Sequence, residues 1–248
     1  MMNWTAKWIT PACDMGSKAP CFAKAFKVEK KLARAILRLT AMGVYEAAIN
    51  GQPVTDTVLN PGWTSYTKRL QVQTWDVTNL IRENNEITVL VGKGWYRSPL
   101  ICSNDGTIQT MLREKPAAIT AELTLTYADG AQECICTDES WTASESKVRF
   151  SELYDGEIYD ATFVPAEKPN AVFYDGPTEM LVPHEGVPIR EQERITGSAH
   201  VRHAQRGENH RLRPGADGLP GGQRQRQSWR CGRRVLCGSD GQGRQLLQ

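Results

Sequence analysis

The run from Val44 to Pro53 constrains the fold most. Tyr45, Ala47 and Ile49 alternate with Val44, Glu46 and Ala48, the period of a strand with one face buried. Asn50-Gly51 follows at once, and both residues tolerate the positive φ that a type I′ turn requires. The chain must double back there, so the segment predicts a β-hairpin and excludes a helix. Beyond it, Asn60-Pro61-Gly62-Trp63-Thr64-Ser65-Tyr66 is a turn cluster carrying two large aromatics, a composition that belongs at the rim of a sheet.

The same pattern recurs along the chain. Strands are predicted over Phe22–Val28, Ala33–Ala41, Leu70–Val77, Glu86–Val91, Ala118–Tyr127 and Gln132–Thr137, the last two joined through an Asp129-Gly130 hairpin. In the second, Ala35, Leu37 and Leu39 point one way and Arg34, Arg38 and Thr40 the other, with Ile36 implying a partly covered outer face. Asn79–Arg82 reads as a short helical turn capped by Asp76 or Thr78. Gly92-Lys93-Gly94 opens no helix of phosphate-loop type and is assigned to backbone geometry. Residues 98–115 read as a long loop. Trp4 and Trp8 anchor the first strand to the body or stack on sugar rings. Many short strands, regular turn signals and almost no helical periodicity predict an all-β fold, an antiparallel, jelly-roll-like β-sandwich with a disordered C-terminal tail.

Composition separates the chain into unlike parts. Residues 200–248 hold ten Arg, no Lys and three acidic groups, a net charge of +7, which leaves −5 for the first 199 residues. Ten guanidinium groups would bind phosphate nonspecifically, yet Trp229 is the lone aromatic among them, so no nucleic acid partner is expected. No run of about eighteen apolar residues and no cationic leader appear, so neither a membrane span nor an export signal is expected and a cytoplasmic location follows. Without export the seven cysteines are expected to be reduced thiols. Cys134 and Cys136 share one strand face; no second pair completes a zinc site, so they are read as buried apolar residues and no metal is expected.

Five segments occur in an order and spacing that resemble the N-terminal region of bacterial α-L-rhamnosidases of glycoside hydrolase family 78: GVYEAAINGQPV, LNPGWTSY, QTWDVTNLI, GKGWYRSPL and SELYDGEIYDATF. The resemblance spans about Trp4 to Ala199. It implies a β-sandwich accessory domain over residues 1–170, then a linker and the start of the next β-rich domain over 171–199. Past Ala199 the likeness stops. Read one base later, permitted codons for Asn209–Gly221 can encode TIDFGQELTGYLE, which resembles the family's next segment. Residues 200–248 are therefore expected to be an out-of-frame tail, unable to bury enough apolar surface to fold.

Glycoside hydrolysis needs two carboxylates flanking the scissile bond, about 5–5.5 Å apart for retention and about 6.5–9.5 Å for inversion. Asp155-Gly156 reads as a turn and Glu157 with Tyr159 as one strand face, which suits a structural or rim-binding role. In the resembled family the acid and base come from a later helical (α/α)6 barrel, so no catalytic residue and no cofactor are expected here. The remaining chemistry is carbohydrate binding: aromatic rings against the apolar face of a pyranose, amides and carboxylates on its hydroxyls. The candidates are Asn50, Trp63, Tyr66, Trp95, Tyr96, Arg97 and Glu157, with a rhamnoside or other carbohydrate as partner. Two functional readings stand side by side. One is an accessory, substrate-recognition or scaffold region docked on the enzyme's catalytic barrel. The other is a stand-alone rhamnose-binding module.

Overall fold

The computed structural model describes residues 2–98 and 115–193, together with the backbone of short strands between 195 and 221. Its strands in chain order are β1 (Trp8–Thr10), β2 (Pro20–Lys27), β3 (Leu32–Ala41), β4 (Val44–Ile49), β5 (Gln52–Pro53), β6 (Leu70–Asp76), β7 (Asn84–Gly92), β8 (Ile119–Tyr127), β9 (Gln132–Cys136), β10 (Thr142–Glu145), β11 (Val148–Glu152), β12 (Gly156–Tyr159), β13 (Val172–Tyr174) and β14 (Leu181–Pro183). One sheet runs β13-β1-β8-β3-β6-β14 with β9 added on β8, the other β10-β2-β7-β4-β5, and β11-β12 form a separate hairpin.

The two larger sheets face each other, as their alternation demands. Ala35, Leu37 and Leu39 of β3 and Ala121, Leu123 and Leu125 of β8 meet Tyr45, Ala47 and Ile49 of β4 and Ile87, Val89 and Val91 of β7 in one continuous core. This is the expected sandwich. Within these two sheets pairing is antiparallel except between β14 and β6, which run parallel with Leu181 beside Leu70. That strand arrives by a long connection rather than a hairpin, so nothing forces it to reverse.

The Asn50-Gly51 turn is present, with φ of 54° and 75°, and it returns Gln52 opposite Ile49. Ile36 is half-buried. On β8 the outward Thr120 and Glu122 are buried as well, because the N-terminal segment crosses that face. The Trp4 indole donates to Thr120 Oγ1 at 2.8 Å, and the N–H groups of Thr5 and Ala6 donate to Glu122 Oε1 at 2.6 and 3.1 Å. Trp8 is buried beside β13, so the paired tryptophans anchor the start of the chain.

The helical turn falls at Thr78–Leu80 as a 3-10 turn, entered by an Asp76 carboxylate that accepts from the Thr78 N–H at 3.1 Å. A second short helix, Gly94–Arg97, forms where only turn geometry was expected. The loop expected at 98–115 lies, apart from its ends, outside the described residues. Cys13, Cys21, Cys134 and Cys136 are free thiols, and burial pushes that of Cys21 up to about 11. The reading of Cys134 as buried is corrected, for it is exposed and Cys136 is partly so. β9 is an edge strand, and its apolar face is carried by Ile135 opposite Leu123, which leaves both sulfurs outside.

The segment expected to lead onward first turns back. Val58 N–H donates to the Ile189 carbonyl at 2.9 Å, and Arg190 Nε reaches both oxygens of Asp56 at 3.1 Å. Of the expected tail, the backbone of Ala199–His203 pairs antiparallel with Gly207–Arg211; most of the rest lies outside the described residues.

Candidate functional site

The seven candidate residues do not form one cluster. Asn50 sits at one end of β4, in the hairpin turn. Its amide nitrogen donates to the Leu80 carbonyl and to Asn85 Oδ1, both at 2.9 Å, and its oxygen accepts from the Glu86 N–H at 3.0 Å. Every polar atom of that side chain is engaged in tying the hairpin to β7 and the 3-10 turn. Position 50 reads from the sequence as a turn residue, and its bonds are those of a clamp.

Tyr66, Trp95 and Tyr96 gather at the opposite end of the sandwich, beneath the rim rather than on it. Tyr66 and Tyr96 are buried in a second apolar cluster with Trp8, Met42, Leu70, Val72 and Leu181, against which Trp95 packs half-buried. Their rings meet edge-on with centroids 5.1 Å apart, a favoured aromatic geometry. Burial pushes both phenols up, that of Tyr96 to about 12. The Tyr66 hydroxyl donates to the Gly62 carbonyl at 3.0 Å and so fixes the loop carrying Trp63. Arg97 is buried too, which lowers its guanidinium to about 10. Its Nε and Nη2 find no hydrogen-bond partner among the described residues. These side chains were expected on the rim, and the chain does pass there. The small helix Gly94–Arg97 turns Tyr96 and Arg97 inward, and its glycine opens at φ 53° against Val44.

Glu157 lies on β12, opposite Ser151 of β11, with Gly156 at φ 86° making the expected turn. Its carboxylate and those of Asp155 and Asp160 share this outlying hairpin. Asp160 is held below its ordinary value by the Thr162 hydroxyl and N–H that it accepts from.

Of the seven candidates, Trp63 alone presents an exposed ring to solvent, at 65% exposure. It borders a shallow cavity of about 130 Å³ lined by Val58, Pro61, Gln71, His184, Glu185 and Ile189 among others. Such a hollow is well below the size that encloses a small ligand, about 300 Å³ or more. It suits a ring laid across the surface. Gln71 organises the floor: its amide nitrogen donates to the Trp63 carbonyl at 3.3 Å and its oxygen accepts from the Glu185 N–H at 3.0 Å. Arg69 holds the Glu185 carboxylate at 2.9 Å, and the His184 N–H donates to the Val72 carbonyl at 3.0 Å. The parallel β6–β14 pairing delivers His184 and Glu185 to Trp63 from more than a hundred residues away. Sequence reasoning took that segment for a connector and missed both of its polar residues. The signal it left unused is Pro183-His184-Glu185-Gly186, a turn with polar side chains directly after a strand.

Among the described residues no group of three or more His, Cys, Asp and Glu is arranged to hold a metal ion, and no helix is long and apolar enough to cross a membrane.

Comparison with known proteins agrees with this architecture. Residues 30–193 match the family model of the α-L-rhamnosidase N-terminal domain. An α-L-rhamnosidase from Alteromonas sp. (strain LOR) is 30% identical over 218 residues, which is 79% of this chain and 23% of that protein. One from Formosa agariphila is 37% identical over 171 residues, 64% of this chain and 18% of that protein. Among solved structures, the native α-L-rhamnosidase of Aspergillus terreus superposes with a TM-score of 0.72 at 30% identity, covering 82% of this chain and 25% of that one. The Streptomyces avermitilis α-L-rhamnosidase complexed with L-rhamnose gives 0.58 at 32% identity, covering 71% and 17%. The chain thus spans about a sixth to a quarter of the length of these relatives. With its five motifs, its paired sheets and that match over residues 30–193, the chain belongs to the α-L-rhamnosidase N-terminal domain family.

Proposed function

We propose that this sandwich is a non-catalytic accessory domain of an α-L-rhamnosidase and that it holds a rhamnosyl group of the substrate against Trp63. The observation that carries the reading is the solvent-facing indole beside a cavity whose polar lining is preorganised. A pyranose presents apolar C–H groups on one face and hydroxyls around its edge. Trp63 offers the matching plane, and Glu185 and His184 stand at its margin where hydroxyls would lie. The Gln71 amide is committed to holding the loop, so its part is positioning. The solved relative with L-rhamnose bound supports the choice of sugar. Hydrolysis of terminal α-L-rhamnosyl bonds would then belong to the longer enzymes of which this domain forms one portion.

Calorimetric titration of the 248-residue chain with L-rhamnose, with and without calcium, tests the reading. Heat that disappears in Trp63→Ala and persists in Glu157→Gln is the expected result. Because Trp63 is exposed, its removal should change stability by no more than about 0.5 kcal/mol, so lost heat would report lost binding. No heat in either condition overturns the sugar reading. A second reading has its own observation: Val58, Trp63, Val187 and Ile189 are all exposed apolar side chains around the same hollow, and such patches also serve docking between domains. A silent titration, with self-association relieved by Val187→Asp, would favour it.

A further inference from the structure

We propose that Cys134 and Cys136 form a two-thiolate chelating site on the edge strand β9 for a thiophilic ion of angular geometry, such as a trivalent arsenical. Alternation along a strand puts residues i and i+2 on one face. Here that face is the outer one, where the two Sγ atoms lie 3.1 Å apart. Ile135 between them anchors the strand inward against the core, so the pair is held at fixed spacing by packing it does not itself supply.

Magnitudes favour chelation over a disulfide. A disulfide needs its sulfurs at about 2.05 Å and Cα atoms within about 6.8 Å, whereas two strand residues at i and i+2 already stand about 6.6–6.8 Å apart. Closure would have to shorten the sulfur separation by about 1 Å at the limit of the backbone's reach. A metal–sulfur bond of about 2.3 Å with the two sulfurs near a right angle places them about 3.3 Å apart. The pair would open by only about 0.2 Å from where it stands.

The surroundings add two hydroxyls, that of Thr124 beside Cys134 and that of Thr5 beside Cys136. Thr5 Oγ1 lies 3.7 Å from Cys136 Sγ and donates its own proton to Glu122 Oε1 at 2.8 Å, which leaves its lone pairs toward the sulfur. Glu122 cannot contribute, because it is occupied by Thr5, Ala6 and the Arg38 guanidinium. Hard ions that demand several oxygens find no shell here.

Phenylarsine oxide is the probe. Its arsenic–oxygen bond is exchanged for two arsenic–sulfur bonds, both thiol protons leave with the oxygen as one water, and arsenic remains trivalent throughout. The reduced 248-residue chain is treated with it in excess glutathione, which strips singly bound arsenic, and intact mass is recorded. One phenylarsenic group retained by the parent and by Cys13→Ser, and at least tenfold less by Cys134→Ser and Cys136→Ser, is expected. A measurement without variants accompanies it: equimolar arsenical should slow iodoacetamide labelling of Cys134 and Cys136 at least tenfold in the parent chain. Retention unchanged in either serine variant, no retention by the parent, or unprotected labelling overturns the proposal.

Discussion

Replacing Glu122 should release the N-terminal segment from the sandwich. This carboxylate is 1% exposed yet faces outward from β8, and it is covered by residues 4–6. Oε1 accepts from Thr5 N–H at 2.6 Å, Thr5 Oγ1 at 2.8 Å and Ala6 N–H at 3.1 Å, while Oε2 meets the Arg38 guanidinium. Hydrogen bonds to a charged group contribute about 1.5–3 kcal/mol each, and breaking a buried pair costs about 3–5 kcal/mol. Arg38 keeps about a third of its side chain in water and can resolvate, so the lower end applies. Glu122→Ala should cost about 3 kcal/mol, a fall in Tm of about 6–12 °C for a domain of this size. Glu122→Gln keeps the Oε1 acceptor but turns an amide toward Arg38, and should cost about 1–2 kcal/mol. Thermal unfolding followed by circular dichroism gives the shift, and amide exchange at Thr5 and Ala6 locates it. A fall below about 2 °C with unchanged exchange would show that Trp4 and Trp8 hold the segment by packing alone, and would refute this account.

Asn50→Ala removes three hydrogen bonds from a residue at positive φ and should cost about 2–3 kcal/mol in urea unfolding; rhamnose heat, where present, should be unchanged. Gly43→Ala puts a Cβ onto the Gly92 carbonyl at φ 147° and should lower stability by at least about 3 kcal/mol, whereas Gly51→Ala, with open space around it, should cost about 1 kcal/mol; soluble yield and urea midpoints compare the two. Glu145 is held below its ordinary value near 4.5 by the Lys18 ammonium and then by Arg149, whose Nη2 lies 2.7 Å away. A carboxyl lowered on folding adds stability above its unfolded value and loses it as pH falls through the folded one. Stability of Glu145→Gln should therefore depend less steeply on pH below about 4.5, as acid titration of the unfolding midpoint would read.

Alternation was strong enough in β3 and β8 to assign each side chain to a face, down to the half-covered Ile36. The Asn50-Gly51 turn could be placed because only a few dipeptides accept its φ values. Site residues were harder. Trp63 and Tyr66 stand three positions apart in one turn-rich segment, yet one ring is in solvent and the other is buried, because Tyr66 meets Tyr96 from a different part of the chain. Cys134 looked apolar by residue type, but which face of a strand is covered depends on what lies across it.

From its residues alone this chain determined an all-β sandwich, the hairpin at its centre and membership of a family, since local backbone preference and side-chain period are properties of neighbours in sequence. Tertiary structure decided which polar groups are exposed, that β14 runs parallel to β6, and that His184 and Glu185 stand beside Trp63. Those outcomes depend on contacts between segments distant in sequence, more than a hundred residues for β6 and β14, and such contacts are settled by how well the assembled sheets fill space and satisfy their polar groups, which no window of sequence contains.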